Sequence, residues 1–281
     1  MKKILVPCDF SQPAINAFRL ALDTAVKSNG SIHLLYVVEL PVLHDTVIMP
    51  VLYFEEQYFN EMKATTERRF NKLITKYNTE RVKVITSVEF GPPVKTILSY
   101  SLEKNIDLII MGSHGASGMR EYLIGSNAEK IVRASSVPVL IVKDFFRGQV
   151  KNIVFPNALQ DTNQEDLAMK VKALQDFFKA HLHIVWINTP ANFTPDIVTY
   201  DKLEAFARRY MFKDYTTDVF NHTNEEEGII LYNQMVGGNL IALGTQGKKG
   251  IAHIMNGSVA EDVVNHSKSL IWTSVMKKKK K

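Results

Sequence analysis

The feature that most limits what this chain can fold into is a glycine spacing that occurs twice. Gly112, Gly115, Gly125 and Ser126 follow the pattern G-x2-G-x9-G-S, and Gly244, Gly247, Gly257 and Ser258 repeat it. An apolar run precedes each copy (Asp107–Met111 and Asn239–Leu243) and a helical pattern follows, so each reads strand, glycine loop, helix. With glycine at its ordinary ~7% of residues, one such pattern arises by chance in roughly one chain in a hundred of this length. Two in equivalent settings point to an internal duplication.

The rest of the chain repeats in step. Lys3–Cys8 is a short β-rich run, and Lys151–Pro156 repeats it. Ser11 is placed to cap a helix from Gln12 to about Lys27, with Pro13 in its first turn and Asn29 and Gly30 at its end. Ser31–Val38 and its counterpart His181–Ile187 are nearly continuous in apolar residues, the mark of strands buried on both faces. Phe54, Tyr58, Met62, Phe70, Leu73, Ile74 and Tyr77 mark a long amphipathic helix whose partner near Val198–Arg209 is much shorter. Strands at Arg81–Phe90 and Asp214–Phe220, helices after Gly91 and near Thr223–Glu227, and closing strands at Pro138–Val142 and Leu270–Val275 complete the order. The fold class is α/β: two tandem Rossmann-like domains, each an open parallel sheet with helices on both faces. The boundaries read as 1–146 and 150–276, followed by a basic tail at 277–281.

The net charge of +5 looks like a hint of nucleic acid, but Lys277–Lys281 carry it all. Without those five, 29 basic residues face 29 acidic ones. The body is balanced, so neither a nucleic-acid nor a membrane partner is expected. No apolar run approaches the ~20 residues of a membrane span. The start, Met1 to Asp9, is too short and too soon acidic for a signal peptide, and Cys8 is the one cysteine. A cytoplasmic protein is the expectation.

The glycine loop can cradle an anion. A glycine after a strand allows close backbone approach, Gly115 lets successive N–H groups share one concavity, and Gly125-Ser126 opens a helix whose first N–H groups and positive dipole end favour phosphate. It is not a Walker loop, since no Gly-Lys-Ser/Thr is present, and it lacks the closer spacing of a dinucleotide fingerprint. Ser126 with Glu129, and Ser258 with Glu261, also fit capping boxes, which would use each serine without any ligand. Lys248 and Lys249 add positive charge to the second loop, while Glu261 and Asp262 offset it. Asp9 lies just beyond the first strand. If that strand neighbours the fourth, Asp9 faces Gly112 across the switch-point crevice, where a carboxylate suits ribose hydroxyls or a base amine. Its other reading is a turn-capping aspartate.

Together these features resemble the universal stress protein family in its tandem form. Both halves match the family's G-x2-G-x9-G-(S/T) motif, and the Ile-Leu-Val-Pro-x-Asp-Phe-Ser start and Pro138–Val142 are also similar to it. The resemblance implies a five-stranded sheet of order 3-2-1-4-5 and ATP binding, with Mg²⁺ held mainly by the phosphates. By position, Asp9 would contact ribose or adenine, Val37 the adenine through its backbone, and Gly112, Gly115, Gly125 and Ser126 the phosphates. Pro7, Cys8, Met111, Ser113, His114 and Asn127 would line the site. It implies that the halves pack as a pseudo-dimer through their last strands, with a homodimer also open.

The second half departs from the pattern. Ala158 stands where Asp9 does, and Ile187 where Val37 does. A weaker second site is expected at Gly244, Thr245, Gly247, Gly257, Ser258 and Val259, for a nucleotide or another anion. No residue set resembles a hydrolytic site: His114 reads as a loop histidine, Glu225–Glu227 as a helix start and Cys8 as a buried strand-end residue. Three functions stay open: a nucleotide-binding stress or regulatory protein, a slow ATPase or nucleotidyl-transfer relative, and a ligand-free interaction scaffold.

Overall fold

The computed structural model describes residues 1–39, 51–113, 125–157, 159, 164–245 and 257–275, without the side chains of 51–56, 257, 258 and 261. The first half runs β1 (Lys3–Pro7), α1 (Gln12–Ser28), β2 (Ser31–Val38), α2 (Val51–Tyr77), β3 (Lys83–Phe90), α3 (Pro93–Glu103), β4 (Leu108–Gly112), α4 (Ser126–Ala134) and β5 (Val139–Val142). The second runs β6 (Asn152–Pro156), α5 (Glu165–Phe178), β7 (His181–Asn188), α6 (Asp196–Arg209), β8 (Tyr215–Asn221), α7 (Glu225–Met235), β9 (Leu240–Thr245), α8 (Gly257–His266) and β10 (Leu270–Val275).

The ten strands form one sheet of order β3-β2-β1-β4-β5-β10-β9-β6-β7-β8. Each half is the parallel 3-2-1-4-5 arrangement, and the two meet where β5 and β10 pair antiparallel, Ile141 opposite Ile271. Central strands carry apolar residues on both sides because helices cover both faces. Ile4, Val6 and Ile32 pack with α1, α2, α5 and α6 on one face. Leu5, Leu35 and Ile109 pack with α3, α4, α7 and α8 on the other. Among the described residues no helix is long and apolar enough to cross a membrane.

Within each half, β1 lies between β2 and β4, and β6 between β7 and β9. The chain order therefore reverses beside β1 and beside β6. That reversal splays the following connections apart and opens a crevice at the carboxyl end of the strands.

One helix, α2, differs from the sequence reading. The inward stripe of α2 runs through Phe59, Thr66, Phe70 and Leu73, while Tyr58 points outward, 51% exposed. Phe59 stacks edge-on against Phe90 of β3 at 4.6 Å, which turns its neighbour Tyr58 to solvent. Helix α7 starts at Glu225, inside the Thr223–Glu227 stretch expected to open it. Asn224 is its N-cap, accepting from the Glu227 N–H at 3.1 Å. The second half is shorter mainly because α6 has 14 residues against 27 in α2.

Candidate functional site

The first crevice sits at the β1/β4 switch point. Its walls are Pro7, Cys8 and Asp9 after β1, Leu35, Tyr36 and Val37 at the end of β2, Met111, Gly112 and Ser113 at the end of β4, and Gly125–Ala128 at the start of α4. Ala14, Pro93 and Ile97 close it. The space measures about 790 Å³ including its open mouth, of which about 190 Å³ admits the centres of water-sized molecules. Of the residues singled out from the sequence, ten come together here. His114 and Gly115 lie outside the described residues.

Asp9 serves the turn and the crevice at once. Its Oδ1 accepts from the Ser11 N–H at 3.0 Å and the Ser11 hydroxyl at 2.6 Å, fixing the bend into α1. Between them Phe10 adopts φ 66°, the left-handed region that costs a bulky residue ~1–2 kcal/mol. Phe10 is held there by packing: its ring lies 5.2 Å from Phe70 and 5.6 Å from Tyr36, with the Arg69 guanidinium 3.8 Å above it. Cys8 is buried, and desolvation pushes its thiol up to about 12, so it stays protonated and forms an apolar part of the wall.

The glycine loop is tied at its ends. Gly125 N–H donates to the Ser113 carbonyl at 2.7 Å, which brings the start of α4 back over the end of β4. Gly125 is the N-cap of α4 and Ser126 its first helical residue. The capping box expected at Ser126 is therefore absent: the position that would cap carries no side chain, and Glu129 pairs instead with Arg133 at 3.8 Å. Ser126 and Asn127 are exposed at the crevice mouth. The first α-helical bond here runs from Glu129 N–H to the Gly125 carbonyl, so the N–H groups before it face the helix end, where an anion is favoured.

Gly112 is required by packing as well as by access. A Cβ there would fall 2.7 Å from Pro13 and 2.9 Å from the Ala14 nitrogen, so β4 and the first turn of α1 can meet only at a glycine. The sequence reading missed Ala14, Leu35, Tyr36, Pro93, Ile97 and Ala128. Leu35 and Tyr36 were within reach as neighbours of Val37. Pro93 and Ile97, one turn apart on α3, show only once α3 is laid over the sheet.

The second half forms the same crevice from matching positions. Pro156, Asn157, Trp186, Ile187, Glu225, Ile229, Leu243, Gly244, Val259 and Ala260 line it. They correspond in order to Pro7, Cys8, Tyr36, Val37, Pro93, Ile97, Met111, Gly112, Asn127 and Ala128. Gly244 and Val259 were expected here. Thr245 ends β9, buried, and Gly257 and Ser258 open α8. Gly247, Lys248, Lys249, Ala158 and the 277–281 tail lie outside the described residues, as do the side chains of Ser258 and Glu261. The space is about 460 Å³ in all, and only about 20 Å³ admits water-sized centres.

An open α/β sheet with a crevice at its switch point is the arrangement in which such sheets commonly take ligands. The comparisons narrow it. The family model described as "Universal stress protein family" matches residues 1–143. A universal stress protein of Bacillus subtilis is 28% identical over 145 residues, covering 50% of this chain and 98% of its own length. Another, from Methanocaldococcus jannaschii, is 33% identical over 153 residues, covering 50% of this chain and 94% of its own. A crystal structure of a universal stress protein from Archaeoglobus fulgidus superposes over 99% of this chain and 97% of its own, with TM-score 0.72 and 19% identity, a likeness of fold. The chain belongs to the universal stress protein family.

Proposed function

We propose that this chain is a nucleotide-binding regulatory protein of the stress response that holds ATP in its first crevice. In this reading residues 1–146 form the binding domain, and 150–276 a second domain docked on it through β5 and β10. The observation that carries it is the crevice itself, which brings together Tyr36, Val37 and Met111, the carboxylate-bearing Asp9 and the start of α4. The apolar side chains suit a flat base, the carboxylate suits a ribose, and the helix start suits phosphates. Asp9 would hold the ribose or adenine and the Val37 backbone the adenine. Gly112, Gly125 and Ser126, with Gly115 of the loop, would hold the phosphates, which carry Mg²⁺.

Mass analysis of small molecules released by denaturing the purified protein tests this directly, and calorimetry with Mg·ATP measures the affinity. Asp9→Ala and Gly115→Val are each expected to lower affinity at least 100-fold. If both variants bind Mg·ATP as the wild type does, the site is elsewhere. Multiple-turnover phosphate release that disappears in Ser126→Ala would move the protein to the enzymes.

A further inference from the structure

We propose that the second crevice is closed to nucleotides by Trp186, Ile187 and Glu225, so that the chain holds a single nucleotide, in its first half. The inference rests on the nucleotide reading of the first crevice. All ten positions that line the second crevice also line the first, so their difference can be traced residue by residue.

Three exchanges remove space. Trp186, buried, stands in the second crevice wall where Tyr36 stands in the first, a larger ring in place of a smaller one. Ile187 replaces Val37 and adds a methylene at the base wall. Helix α7 closes on that isoleucine: a Cβ on Gly228 would fall 2.6 Å from Ile187 Cγ2, whereas α3 carries Thr96 at the matching position. The result is room for about 20 Å³ of water-sized centres against about 190 Å³. That holds a water or two and no purine.

One exchange adds charge. Glu225 stands where the first crevice has Pro93, and its half-buried carboxylate has no ion-pair partner among the described residues. A polyphosphate entering such a space meets a like charge in a low-dielectric wall. Ala158, level with Asp9 in sequence, offers no carboxylate for a ribose.

Titration calorimetry with Mg·ATP is expected to give one nucleotide per wild-type chain and none in Asp9→Ala. The opening variant carries Ala158→Asp, Trp186→Tyr, Ile187→Val and Glu225→Pro on the Asp9→Ala background, each exchange copying the first half. It is expected to regain Mg·ATP binding at least 10-fold above Asp9→Ala. A version with Glu225→Gln in place of the proline guards against a helix-start defect, and thermal unfolding checks that both variants fold. Two nucleotides per wild-type chain, one of them lost in Asp9→Ala, overturns the closure alone. Folded opening variants that bind no better than Asp9→Ala overturn the assignment to these residues. A wild-type chain that binds no Mg·ATP overturns the nucleotide reading beneath it.

Discussion

The two halves agree where the backbone is under constraint and differ where a ligand would sit. Both turn past their first strand through a left-handed residue that is not glycine, Phe10 at φ 66° and Leu159 at φ 54°. Each anchors that turn with a side chain two residues upstream of the N–H it holds: Asp9 to Ser11, and Asn157 to Leu159 at 2.8 Å. Both place a histidine on the second strand under a tyrosine of the third helix. In the first half His33 Nδ1 and Tyr100 Oη lie 3.0 Å apart. In the second, Tyr232 donates to Asp218 in a short contact while His183 turns to Thr216 at 2.9 Å. Burial lowers the pKa of both histidines, so each favours its neutral form. The histidine and tyrosine keep their places but change partners; the sheet and the turn are kept because failing them exposes unsatisfied groups in any such fold. The crevice side chains satisfy no such demand, so one crevice is open and the other is filled.

The largest expected effect tests whether Gly112 belongs to the shared frame. Gly112→Val places a side chain 2.7 Å from Pro13, backbone that cannot swing away. A loss of about 3 kcal/mol in urea unfolding is expected, at the upper end of overpacking penalties, together with loss of nucleotide binding. A variant of wild-type stability that no longer binds would make Gly112 purely a ligand-facing residue and break the parallel with the frame.

Much of this was legible in the sequence, and for definable reasons. Buried parallel strands such as Ser31–Val38 announce themselves as apolar runs, and the two glycine spacings fixed where each half repeats. What was hidden depended on residues meeting across the fold. Gly112 is dictated by the first turn of α1, almost a hundred residues earlier. The placement of Ser126 inside α4 follows from the Gly125 bond to Ser113. Glu225 read as a helix-start acid, which it is, but only the seating of α7 on β7 makes it a wall of the second crevice. Tyr58 and Phe59 are adjacent, and the stacking on Phe90 decides which of them faces in.

An intermediate effect probes the charge in the filled crevice. Burial pushes the Glu225 carboxyl from its ordinary 4.5 up to about 7. Below pH 4.5 both folded and unfolded chains hold the proton and the stability is fully present. Between 4.5 and 7 the unfolded chain releases the proton first, so stability falls as pH rises, and above 7 the loss is complete. The α7 dipole and partial exposure to water temper the loss to about 1–2 kcal/mol. Glu225→Gln cannot ionise, so unfolding at pH 8 is expected to show that gain and unfolding at pH 4.5 none. Equal stability at both pH values would mean the carboxylate is well solvated, and the contrast with Pro93 would shrink to one of volume.

The smallest effect compares how the two halves end their first helices. Asn29 closes α1 at φ 49°, ψ 48°, and Lys179 closes α5 at φ 54°, ψ 45°, nearly the same left-handed geometry. Both residues are exposed, so their side chains add little packing. The backbone N–H of Asn29 is shared between the Ala25 and Val26 carbonyls, and that of Lys179 goes to Gln175. Asparagine tolerates this region because its short amide can bond locally; lysine has no such relief and carries the full clash of Cβ with the carbonyl. Glycine removes the clash but gives the unfolded chain more freedom, which offsets part of the gain. Lys179→Gly is expected to stabilise by about 0.5–1 kcal/mol and Asn29→Gly by no more than a few tenths, read as a difference in urea midpoint at unchanged slope. Equal gains would show that the two caps are strained alike. A loss at Lys179 would show that its side chain does more for the second half than the geometry of the cap reveals.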